Sequence, residues 1–450
     1  MKKFSTDFTQ GNVPRQLFEF TLPLYASNIL QIVYNVVDMI IVGQVLGKVG
    51  LSAVSVGGDA GNFLLFFSMG FSSAGQVIIA QLLGAGKSRE LGRFIGNMTT
   101  FLFCGGIFLS VVCLLLREEI LQLMNTPPEA FDEALGYATV TIIGLVFIYG
   151  YNAVSAVLRG LGDSKHPFIF IALAAVLNVL LDVVFVIFLG LGVKGAALAT
   201  VLSQGTSFFA CVIFLHRNRE RLGFSISGSD FVTFDAKLLS HFVKLGLPMA
   251  IKAASIHLSK LFVNSWINSY GVEISAFAGV ANKINSVAIL LAQALNTAGA
   301  SMVGQNIGAK KFRRVIKILQ TIFAAAMGVA LLMSATILIF PEQIFRLFTA
   351  DEKVLAVGAD YVPIAVIFFL GSACRAPMTA LINGSGNYLA NFATALFDGI
   401  ILRIGLAIFF GLVLDMRHVG FWLGDALAGF TPLAIGMILY FSGRWKKVSI

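Results

Sequence analysis

Charge is what this chain has least of. Asp, Glu, Lys and Arg make up 12% of its 450 residues, about half the share of a soluble domain. That scarcity excludes a water-soluble globule, whose exposed apolar surface would aggregate without lipid. Cysteine is sparse as well. Cys104, Cys113, Cys211 and Cys374 all lie inside apolar runs, without pairing or metal-ligand spacing. They read as membrane-embedded thiols, which leaves no disulfide framework and no zinc site. The five His (His166, His216, His241, His257 and His418) show no HExxH spacing, and no Ser-centred nucleophile elbow is present. An intramembrane enzyme is therefore not expected. The one nucleotide-like stretch ends in Gly84-Ala85-Gly86-Lys87-Ser88, but Gln81 stands where a Walker A loop needs Gly. It also follows an apolar helix rather than a strand. No nucleotide is expected, so energy must come from an ion gradient or from the substrate's own gradient.

What is present is apolar length. Hydrophobic residues make up 57%, mean hydropathy is +0.87, and there are 41 Phe. The runs predict about twelve membrane helices. They fall near 17–45, 52–83, 94–116, 134–158, 166–190, 194–215, 241–270, 275–307, 314–340, 357–382, 389–412 and 418–440. This is an all-α integral membrane protein. An even number puts both termini on one side. That side carries most of the basic residues, among them Lys2, Lys3, Arg15, Lys87, Arg89, Arg93, Arg217, Arg219, Arg221, Lys310, Lys311, Arg313, Arg314 and Lys446. The positive-inside rule makes it the cytoplasmic side. The net charge of +9 is thus a topology signal, and no nucleic-acid partner is expected. The first run holds Pro23, Asn28 and Asp38 and lacks a small-residue cleavage site, so no signal peptide is expected. Pro23 and Pro248 read as first-turn residues of the first and seventh helices.

The chain also repeats itself. AQLLGAGK (80–87) returns as GQNIGAKK (304–311), and RGLGD (159–163) as NGSGN (383–387). TLPLY (21–25) returns as GLPMA (246–250). The only long polar interval, 216–240, reads as a cytoplasmic linker. The expected division is an N-terminal lobe over 1–215, the linker over 216–240, and a C-terminal lobe over 241–450. A doubled bundle of membrane helices is the build of a secondary transporter, with the substrate bound between the halves.

Ionisable residues inside the runs outline a transport path. Asp38 sits on the first helix, with Asn35 one turn earlier. Asn178 and Asp182 share a face of the fifth helix. Asn152 on the fourth and Thr200 on the sixth can add neutral oxygens and donors. Two carboxylates among such groups bind Na⁺ or hold a proton; no other metal is expected. The second half differs, with Lys252 and Lys260 on the seventh helix and Arg375 on the tenth. Asp398 and Arg403 fall on the eleventh, and Asp425 on the twelfth. Arg375–Asp398 and Arg403–Asp425 are the expected pairs, as internal struts, as substrate contacts or as side chains snorkelling to the interface. Lys283 lies near a helix end and is expected to snorkel.

At these residues the chain resembles the multidrug and toxic compound extrusion (MATE) family. The likeness runs from about residue 12 to 440. It rests on TLPLY, VVDMIIVGQVLG (36–47), AQLLGAGK, VLRGLGDSKHP (157–167), LNVLLDVVF, VKGAALATVLSQ (193–204) and GQNIGAKK. The resemblance implies two six-helix lobes related by a pseudo-twofold axis along the membrane normal. It implies a drug/cation antiporter whose central cleft opens alternately to each side. It assigns the ion-coupling roles to Asp38, Asp182, Asn178, Asn152 and Thr200. Some relatives place acidic residues on helices seven and ten. Lys252, Lys260 and Arg375 stand there instead, so no second-lobe cation site is carried over.

The expectation is a monomeric, twelve-helix antiporter of a bacterial inner membrane. It exports amphiphilic or cationic small molecules in exchange for H⁺ or Na⁺, with no cofactor beyond that ion. The alternative is a flippase for a lipid-linked saccharide, in which the basic second-half residues would hold a pyrophosphate. A lipid-scrambling assay separates the two.

Overall fold

The computed structural model describes residues 6–222 and 227–447, and among them every regular element is a helix. In chain order these are α1 (Val13–Gly84), α2 (Ser88–Leu115), α3 (Arg117–Leu123), α4 (Pro128–Gly160), α5 (Lys165–Asp182) and α6 (Gly192–Leu222). They continue as α7 (Ala236–Asn268), α8 (Val272–Gly308), α9 (Phe312–Ile339), α10 (Pro341–Arg346) and α11 (Glu352–Gly384). The last are α12 (Tyr388–Leu396), α13 (Leu402–Ile408), α14 (Arg417–Ala428) and α15 (Thr431–Phe441). Among the described residues, 11 segments are long and apolar enough to cross a membrane. α7 is as long as these, with 33 residues, but Lys252, His257 and Lys260 lower its hydropathy. The protein is a multi-pass membrane protein. Its exposed Phe, Leu, Ile and Val side chains, such as Phe18, Phe108, Phe188 and Leu332, form surface suited to acyl chains.

Helix boundaries shift from the sequence pattern for local reasons. The polar run 216–222 extends α6 instead of ending it, because Arg and Glu propagate a helix well in water. The twelfth predicted helix is split into α14 and α15 at Gly429 and Phe430, just before Pro432, which lacks an N–H and favours a fresh helix start. Pro23 and Pro248 are not first-turn residues. They lie well inside α1 and α7.

The chain forms two compact units, Met1–Asp7 with Leu22–Gly246, and Phe8–Thr21 with Leu247–Ile450. α1 changes unit at Leu22 and α7 at Leu247, in each case one residue before the proline. In the first unit α4 packs on α2 and α6, and α6 on α5. Its core holds Leu64, Leu145, Tyr149 and Val193, with the Tyr149 hydroxyl donating to the Leu64 carbonyl at 2.6 Å. Residues 228–235, the end of the polar interval, are clamped to this unit. Asn97 of α2 donates to the carbonyls of Asp230 and Thr233 at 2.9 and 3.0 Å, and accepts from the Asp235 amide at 2.8 Å. In the second unit α11 packs on α8 and α9. The segment leading into α1 is held there by Arg314, which donates to the carbonyls of Phe8, Gln10 and Gly11 at 2.6–2.8 Å.

The repeat survives in backbone detail. Gly47 (φ +66°) kinks α1, and Gly271 (φ +128°) separates α7 from α8. The sequence pattern ends a helix at 45 and restarts it at 52, and the structure breaks α1 into two helices at Gly47, whose backbone is not helical. Gly86 and Lys310 take the same left-handed turn, as do Gly162 and Gly386. A π-helical stretch ends α5 at Val183–Phe188 and recurs at Phe409–Val413. Gly190 and Gly192, both left-handed, are answered by Asp415 and Arg417, left-handed as well.

At Gly47 the pair φ +66°, ψ −159° lies in a region open essentially to glycine alone, where another residue costs about 1–3 kcal/mol. No other atom comes within 4 Å of a Cβ added there, so the cost is conformational. Gly47→Ala is therefore expected to lower the thermal melting point in detergent by several degrees. A melting curve that coincides with the parent's would refute that reading of the kink.

Candidate functional site

In the first unit, α1 and α5 bring two carboxyl groups together. Asp182 is the last α-helical residue before the π-helical stretch, and it is fully buried. Asp38 lies nine residues before the Gly47 kink, close enough to Asp182 for their carboxyls to hydrogen-bond. Yet among the described residues no donor reaches Asp38 Oδ1, either oxygen of Asp182, or Asn178 Oδ1, all of which are buried atoms. The two facts agree once the proton is considered. Ionised carboxylates only accept, so two of them in contact lack a donor until a proton or a cation lies between them. Asn178, one turn before Asp182, donates to Thr200 Oγ1 of α6 at 3.4 Å. Its free carbonyl oxygen adds a neutral ligand beside the pair, a set that suits Na⁺ or a shared proton.

The other expected residues fall differently. Asn152 of α4 donates to Ser68 of α1 at 3.1 Å, and among the described residues no hydrogen bond joins it to either carboxylate. Asn35 is exposed and likewise makes no hydrogen bond to the pair. Two tyrosines that the sequence reading passed over stand beside it. Tyr34 lies one turn before Asp38, within hydrogen-bonding reach of Gln204 of α6. Tyr137 of α4 is buried and interacts electrostatically with both carboxylates. Tyr34 was legible from its i, i+4 spacing to Asp38.

The second unit holds a charge ladder. Arg375 Nη2 of α11 donates to Asp398 Oδ2 at 2.9 Å, and Arg403 Nη2 donates to Asp398 Oδ1 at 2.8 Å. Arg403 Nη1 pairs with Asp425 of α14. Both expected pairs are present, and the Asp398–Arg403 contact joins them. It exists because Phe397–Ile401 is π-helical, and a π-turn stacks residues five apart. Arg403 Nε accordingly donates to the Asp398 carbonyl at 3.2 Å as well. Asp398 is 0% and Arg403 2% exposed, so both rely on charges inside the ladder rather than on water.

Two lysines lie outside the ladder. Lys252 Nζ donates to Asn383 and Asn391 at 3.1 and 3.2 Å, and Asn383 passes the chain to Asn296 of α8 at 3.2 Å. Lys260 has no ion-pair partner within 4 Å among the described residues. A cavity of about 170 Å³ opens beside it, with Arg375, Asn296, Phe368 and Asp425 in its wall.

The MatE family profile matches this chain twice, over residues 23–184 and 248–409. The chain belongs to the MatE family. The two matches are displaced by the same interval as the sequence repeat, so each half is one copy of the family's unit. The chain is 30% identical over 444 residues to the "Probable multidrug resistance protein YpnP" of Bacillus subtilis, covering 99% of this chain and 98% of the relative. It is 23% identical to the "Probable multidrug resistance protein NorM" of Thermotoga maritima, covering 97% and 94%. Its fold matches an outward-facing multidrug resistance MATE family transporter of the MOP superfamily, with a TM-score of 0.89, 22% identity, and 99% and 98% of the two chains covered. This MatE chain is a membrane transporter.

Removing one member of a buried ion pair strands the other, at about 3–5 kcal/mol. Arg403→Met is expected to cost the MatE chain that much, read as a large drop in melting point and in folded yield. Adding Asp425→Asn to it keeps Arg375–Asp398 intact and removes one stranded carboxylate, and is expected to recover part of the loss. Equal melting of the single variant and the parent would show that the ladder is not structural.

Proposed function

We propose that this transporter is an antiporter for multidrug efflux, exporting amphiphilic small molecules in exchange for H⁺ or Na⁺ bound at Asp38 and Asp182. The observation that carries the reading is the close carboxyl pair, in which, among the described residues, no donor reaches Asp38 Oδ1 or either oxygen of the buried Asp182. Left bare, two adjacent carboxylates in a low-dielectric bundle repel each other strongly. A proton or Na⁺ relieves that repulsion, so ion occupancy changes the energy of the first unit. The names of the relatives, which describe multidrug resistance proteins, support the substrate class.

In the proposed cycle an ion enters from outside and settles between Asp38 and Asp182, with Asn178 and Thr200 beside them. Ion binding favours the inward-facing arrangement, substrate binding promotes ion release, and the outward-facing arrangement then discharges the substrate. Access alternates because neither load is bound with the same affinity in both arrangements. One proton moving through about 150 mV supplies about 3.5 kcal/mol, enough for a gradient of several hundred-fold. The chain works as a monomer in the bacterial inner membrane, with the basic loops and both termini in the cytoplasm. No cofactor beyond the coupling ion enters this reading.

Asp182→Asn and Asp38→Asn keep the size and polarity of the site but remove the charge that the ion answers. Both variants are expected to insert normally and to lose at least ten-fold of gradient-driven efflux in proteoliposomes. Efflux by both at the parent's rate would sink the assignment.

A further inference from the structure

We propose that the cavity of the second unit is an anion site, and that the favoured substrates are amphiphiles bearing a carboxylate, sulfonate or phosphate. The inference rests on the exporter reading above and names its substrate class. Its basis is a charge count. Among the described residues, Lys252, Lys260, Arg375 and Arg403 meet only two acidic groups, Asp398 and Asp425, which the arginines pair with and which act on the lysines. Four cations against two carboxylates leave two positive charges inside the bundle. The Asn383 and Asn391 oxygens orient the Lys252 ammonium, but neutral amides do not cancel its charge. Lys260 lacks even that among the described residues, and it stands in the cavity wall.

Uncompensated charge at membrane depth is costly, and where it persists it marks a substrate or ion path. The wall has the character of a site. Arg375 engages Asp398 through Nη2 alone and keeps 26% of its side chain exposed. Beside the cations, Gln293 and Asn296 offer neutral donors, while Ile256, Ile289 and Phe368 supply an apolar face. A small cavity with an apolar face and a few convergent polar groups is the common form of a ligand site. An anionic head on the lysine and arginine, with its apolar body on the Ile and Phe side, fulfils both. An organic cation placed there meets like charge.

Sulforhodamine B and rhodamine 6G test this, because they share a xanthene ring and differ in the sign of their charge. Binding to the full chain in detergent, read by fluorescence anisotropy, is expected to favour sulforhodamine B by at least ten-fold. Lys260→Gln is expected to weaken that binding about ten-fold, and Lys260→Arg to retain it. Lys252→Gln provides the same readout should Lys260→Gln fail to fold. Rhodamine 6G binding as tightly as sulforhodamine B, or unchanged sulforhodamine B affinity in a folded Gln variant, would overturn the proposal. Either result leaves the exporter reading standing, since that reading depends on flux through the Asp38 and Asp182 variants.

Discussion

An ionised side chain inside a lipid-embedded bundle must find its counter-charge locally, and the two units of this transporter meet that requirement differently. Insertion of each such group costs about 3 kcal/mol at a helix centre, against a net stability of about 5–15 kcal/mol for an ordinary domain. The second unit answers with protein charge: Arg403 lies between Asp398 and Asp425, and Arg375 closes the other side of Asp398. The first unit sets carboxyl against carboxyl, where the described side chains supply no donor to Asp182. A group that its own protein leaves unanswered is where a mobile ion belongs.

The repeat explains how both solutions fit one fold. Gly47 and Gly271, Gly162 and Gly386, and the π-helical stretches after Asp182 and Ile408 hold the same backbone course in both halves. Backbone of that kind sets where helices bend and which residues face inward, whatever the side chains carry. Asp415 and Arg417 even accept left-handed conformations where the first half uses Gly190 and Gly192. Upon this shared frame the charges have diverged. One copy keeps carboxylates and the other combines a paired ladder with two extra lysines.

Much of this was legible in the residues. Apolar run length located the helices, and the repeat runs at the interval of the two family-profile matches. The signs of Arg375, Asp398, Arg403 and Asp425 identified two real ion pairs. What escaped depends on geometry that no short pattern encodes. The Asp398–Arg403 contact needs a five-residue turn, whereas an α-helix pairs residues three or four apart. Asn152 has the right chemistry for the ion site, but Ser68 holds it. Tyr137 comes from a helix whose sequence gives no sign of the carboxylates it meets.

The central claim is that an ion gradient, acting through the first unit, drives substrate out. Its most direct test is substrate flux in proteoliposomes of the unmodified protein, with a pH gradient and a Na⁺ gradient imposed separately. The account predicts uphill substrate movement under at least one of them, accompanied by counterflow of that ion and abolished when both gradients are collapsed. Uphill movement that persists with both gradients collapsed, or flux indifferent to either, would contradict it.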